Sequence, residues 1–181
     1  KISIGVEDFK TLIDWNGYFV DKTLMIRDLI ENHAMVTLFT RPRRFGKTLN
    51  QFMIRRFFED EITEKGEKVD NGYLFDGLAI TRCGEEIMQH QQRYPVIFMS
   101  LKSAKQDSYD MAYASLIDEI SKEFKRHAYL LQGESLSPKE KQEFQLVMDK
   151  EAQPIAYAKA LGFLSECLTK YHGHKTIILI D

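Results

Sequence analysis

Residues 35–40, 96–101 and 175–181 are short runs of apolar and β-branched residues, set between long stretches whose apolar side chains recur at helical spacing. This alternation narrows the fold more than any other feature of the chain. Buried strands joined through amphipathic helices predict a mostly parallel sheet with helices on both faces, an α/β architecture. The 181 residues suffice for one sizeable domain of that kind, and 44% hydrophobic with 29% charged residues is the composition of an ordinary folded globule.

The helical stretches read off as core-facing stripes. From Asp21, "DKTLMIRDLIENH" offers a polar capping group and then Leu24, Met25, Leu29 and Ile30, ending near Asn32. Leu49, Phe52, Met53 and Phe57 define a helix from Thr48 onward, with Gln51, Arg55 and Arg56 on its other face. A long helix over about 107–127 rests on Tyr113, Leu116, Ile117, Ile120 and Phe124. Ser137, Pro138 and Glu140 form a capping box with proline at the first helical position. The stripe Tyr157, Leu161, Leu164, Leu168 and Tyr171 predicts a further helix, stopped by Gly173. Residues 59–94 hold a charge-rich connector and a small apolar cluster, "YLFDGLAI".

Other features set limits on function. A net charge of −2 argues against a chain coated in basic residues for nucleic acid, though it permits a local basic patch. The two cysteines, Cys83 and Cys167, stand in no metal-ligand spacing and read as unpaired thiols in a reducing compartment. His172 and His174 flank Gly173, where a helix-ending turn explains them better than a metal. No apolar run reaches the length of a membrane span, and "KISIGVEDFK" has no signal-peptide core, so a cytoplasmic location is expected.

The chemistry-bearing stretch is "TLFTRPRRFGKTLN". Gly46, Lys47 and Thr48 match the end of the phosphate-binding pattern G-x-x-x-x-G-K-[ST], but Arg41 stands where its first glycine belongs. A triphosphate needs close donors and positive charge, which the N-terminus of a helix supplies. Gly46 lets backbone approach phosphate, Lys47 can reach its β and γ oxygens, and the Thr48 hydroxyl suits Mg²⁺. A second Mg²⁺ contact is expected from an Asp at the end of a buried strand, a description Asp181 meets.

"GYFVDKTLMIRDLI", "TLFTRPRRFGKTLN", "YLFDGLAI", "YPVIFMSLK" and "TIILID" together resemble, in order, the motifs of the bacterial AAA-ATPase-like family, whose R-P-R-R-F-G-K-[ST] loop replaces the usual glycine-rich one. The resemblance implies a P-loop NTPase-type domain over 1–181, with 1–34 as an N-terminal extension and 35–181 as the core up to the Walker B strand. It implies ATP and Mg²⁺ as cofactors. Nucleotide contacts then fall on Arg41, Arg43, Arg44, Phe45, Gly46, Lys47, Thr48 and Leu49, catalytic roles on Lys47 and Asp181, and metal contacts on Thr48 and Asp181. A catalytic Glu is expected directly after Asp181, and a further strand beside the Walker B strand, so the chain is expected to be part of a longer protein. Members of the family often continue into a nuclease-like domain of the PD-(D/E)XK type, which makes nucleic acid a candidate partner and a homo-oligomer a candidate assembly.

Three functions compete at this stage. The first is an ATP-binding, ATP-hydrolysing domain. The second is a small-molecule kinase that shares the loop but transfers phosphate to a bound acceptor. The third is a nucleic-acid-binding module in which Arg41, Arg43, Arg44, Lys47, Arg55 and Arg56 contact phosphate backbone.

Overall fold

In a computed structural model that describes residues 5–42 and 45–181, the sheet is built from Val96–Met99 (β1) and Ile177–Ile180 (β2). They run parallel, with Val96 opposite Ile177 and Met99 opposite Ile180, as apolar tetrads with no turn residue should. A parallel pair needs a long crossover, and three helices supply it: α5 (Tyr109–Arg126), α6 (Pro138–Met148) and α7 (Pro154–His172). To label elements in chain order, α1 is Phe9–Asp14, α2 Leu24–Asn32, α3 Lys47–Phe58 and α4 Glu85–Met88. The chain divides into two compact units, Lys1–Glu59 with Asp70–Arg93, and Asp60–Val69 with Tyr94–Asp181.

In the second unit the core gathers Ile97 and Met99 of β1 with Ile120 and Phe124 of α5, Phe144 and Val147 of α6, and Leu164 and Leu168 of α7. Phe124 and Phe144 meet at 4.7 Å between ring centroids, and each fully buried ring contributes about 1.5–3 kcal/mol relative to exposure. The helix ends follow the expected chemistry. Ser108 caps α5 by accepting from Met111 N, Ser137 and Glu140 close a reciprocal capping box on α6, and Gly173 ends α7 at φ +70°, where a side chain would be strained. The Cys167 thiol, buried in this core, is pushed up to about 12 by desolvation, and both cysteines are free.

Only one side of β1 is laddered to β2. On the other, α5 supplies side chains: Glu123 accepts from Phe98 N at 2.8 Å, while Arg126 and His127 reach Val96 O. The free edge of the strand is thereby occupied, a protection that exposed edges commonly need. His127 continues into a buried chain through the Tyr129 hydroxyl to His172, whose Nδ1 lies 3.3 Å from Asp60, 112 residues away in sequence. Four contacts in this chain, Val96 O to His127, His127 to Tyr129, Tyr129 to His172 and His172 to Asp60, need four hydrogens. Two neutral imidazoles and one phenol supply three, so the chain closes fully only with one further proton. His172 thus has a structural partnership as well as its place in the turn before Gly173.

The first unit is organised around phenylalanine. Phe75 lies 5.3 Å from both Phe9 and Phe57, and Phe19 packs edge-on against Phe9 at 5.2 Å. Ile26, Met53, Ile54, Leu74 and Ile80 complete this core, so α1, α2, α3 and the "YLFDGLAI" segment share one interior. The latter forms two 3₁₀ turns, Gly72–Phe75 and Ala79–Arg82.

Three expectations need correction. Residues 35–40 form no strand, and Met35, Val36 and Leu38 are largely exposed. A strand is stable only in a ladder, and the sheet among the described residues consists of β1 and β2 alone. The buried face of α2 centres on Ile26, while Leu24 stays exposed. Arg55, expected on a polar face of α3, is buried against Glu59 at 2.7 Å.

Glu123 links the two layers and yields a test. Burial opposes its charge, but Arg126 first and then His127 outweigh this, so its carboxyl lies well below the ordinary carboxylate range. A depressed folded value contributes stability that is present above the unfolded pKa and is lost as pH falls toward the folded one. Glu123→Gln is expected to lower unfolding free energy at pH 7 by about 3 kcal/mol. Urea titrations should show the gap between wild type and variant narrowing as pH falls below about 4.3.

Candidate functional site

Gly46 stands at the start of α3 with φ +73°, a left-handed conformation that favours glycine; a Cβ there would meet no atom within 4 Å, so backbone conformation and not space demands it. The first intrahelical bond runs from Asn50 N to Gly46 O at 2.9 Å. The amides before it have no acceptor within the helix, and Gly46 has no side chain to cap them. The first turn holds no acid and begins with Lys47, whereas Arg55 and Arg56 lie in the last turn, where the dipole favours them. Lys47 therefore adds positive charge at an end that is already positive, an arrangement suited to an anion.

Lys47 folds back over its own loop. Its ammonium donates to Arg41 O at 2.7 Å and to Pro42 O at 3.3 Å. Arg41 is exposed and donates to Thr40 O. Phe45 is 58% exposed, while Thr48 and Leu49 are half-buried in the first turn of α3. Arg43 and Arg44 lie outside the described residues. Asp181 belongs to the second unit: its N–H donates to Met99 O, its carbonyl accepts from Leu101 N, and its mostly buried carboxylate lies 3.2 Å from the Lys102 ammonium. The backbone of Asp181 thus continues the ladder past β2.

The segment before α2 is tied down by chemistry that sequence reading left open. Asp21 was expected as a helix cap. Instead it accepts from the N–H and hydroxyl of Thr23 and, at 2.7 Å, from Ala79 N. Partial burial opposes its charge, but the Thr23 hydroxyl, the two backbone donors and Arg82 outweigh this and hold the carboxyl below its ordinary value. Thr23, fully buried, accepts in turn from Ile80 N at 3.1 Å. Two motifs far apart in sequence, "VDKT" and "DGLAI", are thereby joined through hydrogen bonds. Arg56 of α3 lies 3.9 Å from Asp8, so with Arg55 on Glu59 two of the six basic residues proposed for nucleic acid face carboxylates.

Beside the start of α3 lies an open groove of about 350 Å³, lined in part by Tyr18, Val20, Lys22, Phe45, Gly46 and Asn50. Of these, sequence reasoning had singled out only Phe45 and Gly46. The usable signal was an aromatic pair in "GYFVDKT", within a motif already noted but assigned no contact.

The family model described as predicted AAA-ATPase matches residues 3–181, and the chain belongs to this family. Nucleotide binding is the property that membership brings with it. No curated protein and no solved structure matches the chain significantly. No helix among the described residues is long and apolar enough to cross a membrane.

The joint between "VDKT" and "DGLAI" gives a second test. Thr23→Val keeps shape but leaves the buried Ile80 N–H without its acceptor, and is expected to cost about 1–3 kcal/mol in urea unfolding. Thr23→Ser, which restores a hydroxyl, should recover most of that loss.

Proposed function

We propose that this protein binds ATP at the start of α3 and hydrolyses it, with Arg41 to Thr48 as a P-loop of unusual sequence and β2 ending in Asp181 as the Walker B strand. The observation that carries the reading is the first turn of α3, with its left-handed Gly46, no acid and the Lys47 ammonium held over the loop. Family membership over residues 3–181 supports it.

The chain's residues divide the work. Backbone N–H groups of Gly46 to Leu49 bind phosphate oxygens, and Lys47 exchanges the carbonyls of Arg41 and Pro42 for phosphate, neutralising charge on the transferring group. Those carbonyls are exposed, so water replaces the lysine there at little cost. Thr48 would hold Mg²⁺ through its hydroxyl, and Asp181, as the acid that ends the strand, is proposed as the Walker B carboxylate. Magnesium held there would supply charge neutralisation for the phosphates. Arg43 and Arg44 are proposed as further phosphate contacts, since guanidinium replaces donors that a glycine-rich loop takes from its backbone. A cytoplasmic setting, where ATP is abundant and thiols stay reduced, is part of the same proposal.

Calorimetry tests the assignment. Lys47→Ala in the full-length protein should lower affinity for Mg-ATP about 10- to 100-fold, the worth of charged hydrogen bonds, with an unchanged melting temperature. Equal affinity in wild type and variant removes the phosphate role. Free phosphate released from γ-labelled ATP supports hydrolysis, whereas a labelled small acceptor supports a kinase instead. Thr48→Ala should weaken binding more in Mg²⁺ than in EDTA; equal losses would show that its hydroxyl does not serve the ion.

A further inference from the structure

The groove beside α3 leaves large apolar side chains in water: Tyr18 is 72% exposed, Val20 57% and Phe45 58%. Exposed apolar residues scattered singly need no explanation, but these converge on one concavity. Polar groups join them at chosen points, Lys22 on the "VDKT" segment and Asn50 one turn into α3. Three aromatic rings, two aliphatic side chains, a lysine and a single amide form the mixed lining by which proteins hold flat heteroaromatic ligands. An amide presents donor and acceptor together, the pair a purine edge also presents.

Gly46 decides the occupant. It lines the groove and also begins the turn assigned to phosphate, so the two surfaces are continuous. A molecule with its phosphates at the start of α3 would have its other end beside Phe45 and Asn50. We propose that this groove is the base subsite, in which the adenine of the nucleotide stacks on Tyr18 and Phe45 and offers its edge to Asn50. The inference rests on the phosphate reading of α3 and adds the residues that recognise the nucleoside. The side of the groove opposite α3 is the 18–22 segment, which the Asp21 and Thr23 hydrogen bonds anchor to residues 79 and 80. The chain just after Tyr18 is therefore tethered before ligand arrives.

Inorganic tripolyphosphate separates the subsite from the phosphate site, because it has the charge of ATP and no base. In calorimetry on the full-length protein, Tyr18→Ala and Phe45→Ala are each expected to weaken ATP about tenfold, the worth of one base–aromatic stack, and Tyr18→Ala, which lies outside the phosphate loop, is expected to leave tripolyphosphate affinity unchanged. Tyr18→Phe should bind ATP as wild type does, because it keeps the ring. Lys47→Ala should weaken both ligands. Since Tyr18 and Phe45 are exposed, their alanine variants should melt with the wild type, which excludes misfolding as the cause. If both alanine variants bind ATP normally, or if Tyr18→Ala loses ATP and tripolyphosphate equally, the groove is not a base subsite, although the phosphate reading survives. If the wild type binds neither ligand, the phosphate reading fails and the subsite with it.

Discussion

A polar backbone taken out of water must find partners, and here the sheet can provide few of them. Between β1 and β2 the ladder satisfies one edge of each strand, so the remaining amides turn to side chains. Glu123 accepts from Phe98 N, and Arg126 and His127 supply Val96 O, which packs α5 against β1 by hydrogen bonds as well as by Ile120 and Phe124. In the first unit the same need is met by Asp21 on Ala79 N and by Thr23 on Ile80 N. Each of these side chains is placed by a helix or its lead-in, and each secures a segment distant in sequence.

This arrangement explains why charged residues lie so deep. Glu123 is acceptable in the interior because Phe98 N and two cationic or protonatable neighbours surround it. Arg55 is acceptable because Glu59 is one helical turn away. A nucleic-acid surface would need such cations in water, and their engagement is what weakens that reading of the basic helix. The start of α3 contrasts with α1, α5 and α6, whose first turns are capped by Asp8, Ser108 and Ser137. Gly46 gives α3 no such cap, and Lys47 adds charge of the dipole's own sign.

Rigidity and exposure are divided accordingly. The phenylalanine core formed by Phe9, Phe57 and Phe75 holds the body of α3 while its first turn stays half-buried and Arg41, Pro42 and Phe45 before it are exposed. Lys47 changing from loop carbonyls to phosphate would then be a local event, with the helix behind it unmoved.

The sequence alone determined α2, α3, α5, α6 and α7, though not the short α1 and α4, because stripes and caps are local: "SPKE" specified a capping box, Gly173 a helix end, and Gly46 to Thr48 the turn that starts α3. It also carried the family, since ordered motifs are a property of the chain itself. Tertiary structure decided what local pattern cannot express. Residues 35–40 have the composition of a strand, yet strand formation needs a neighbour's backbone and none is laddered to them among the described residues. Arg55 looked like a solvated face until Glu59 and the core enclosed it, and Asp21 looked like a cap until the backbone at residue 79 came within 2.7 Å. Helical spacing is written within a few residues of chain, whereas ladders, buried ion pairs and grooves depend on groups brought together from far along it.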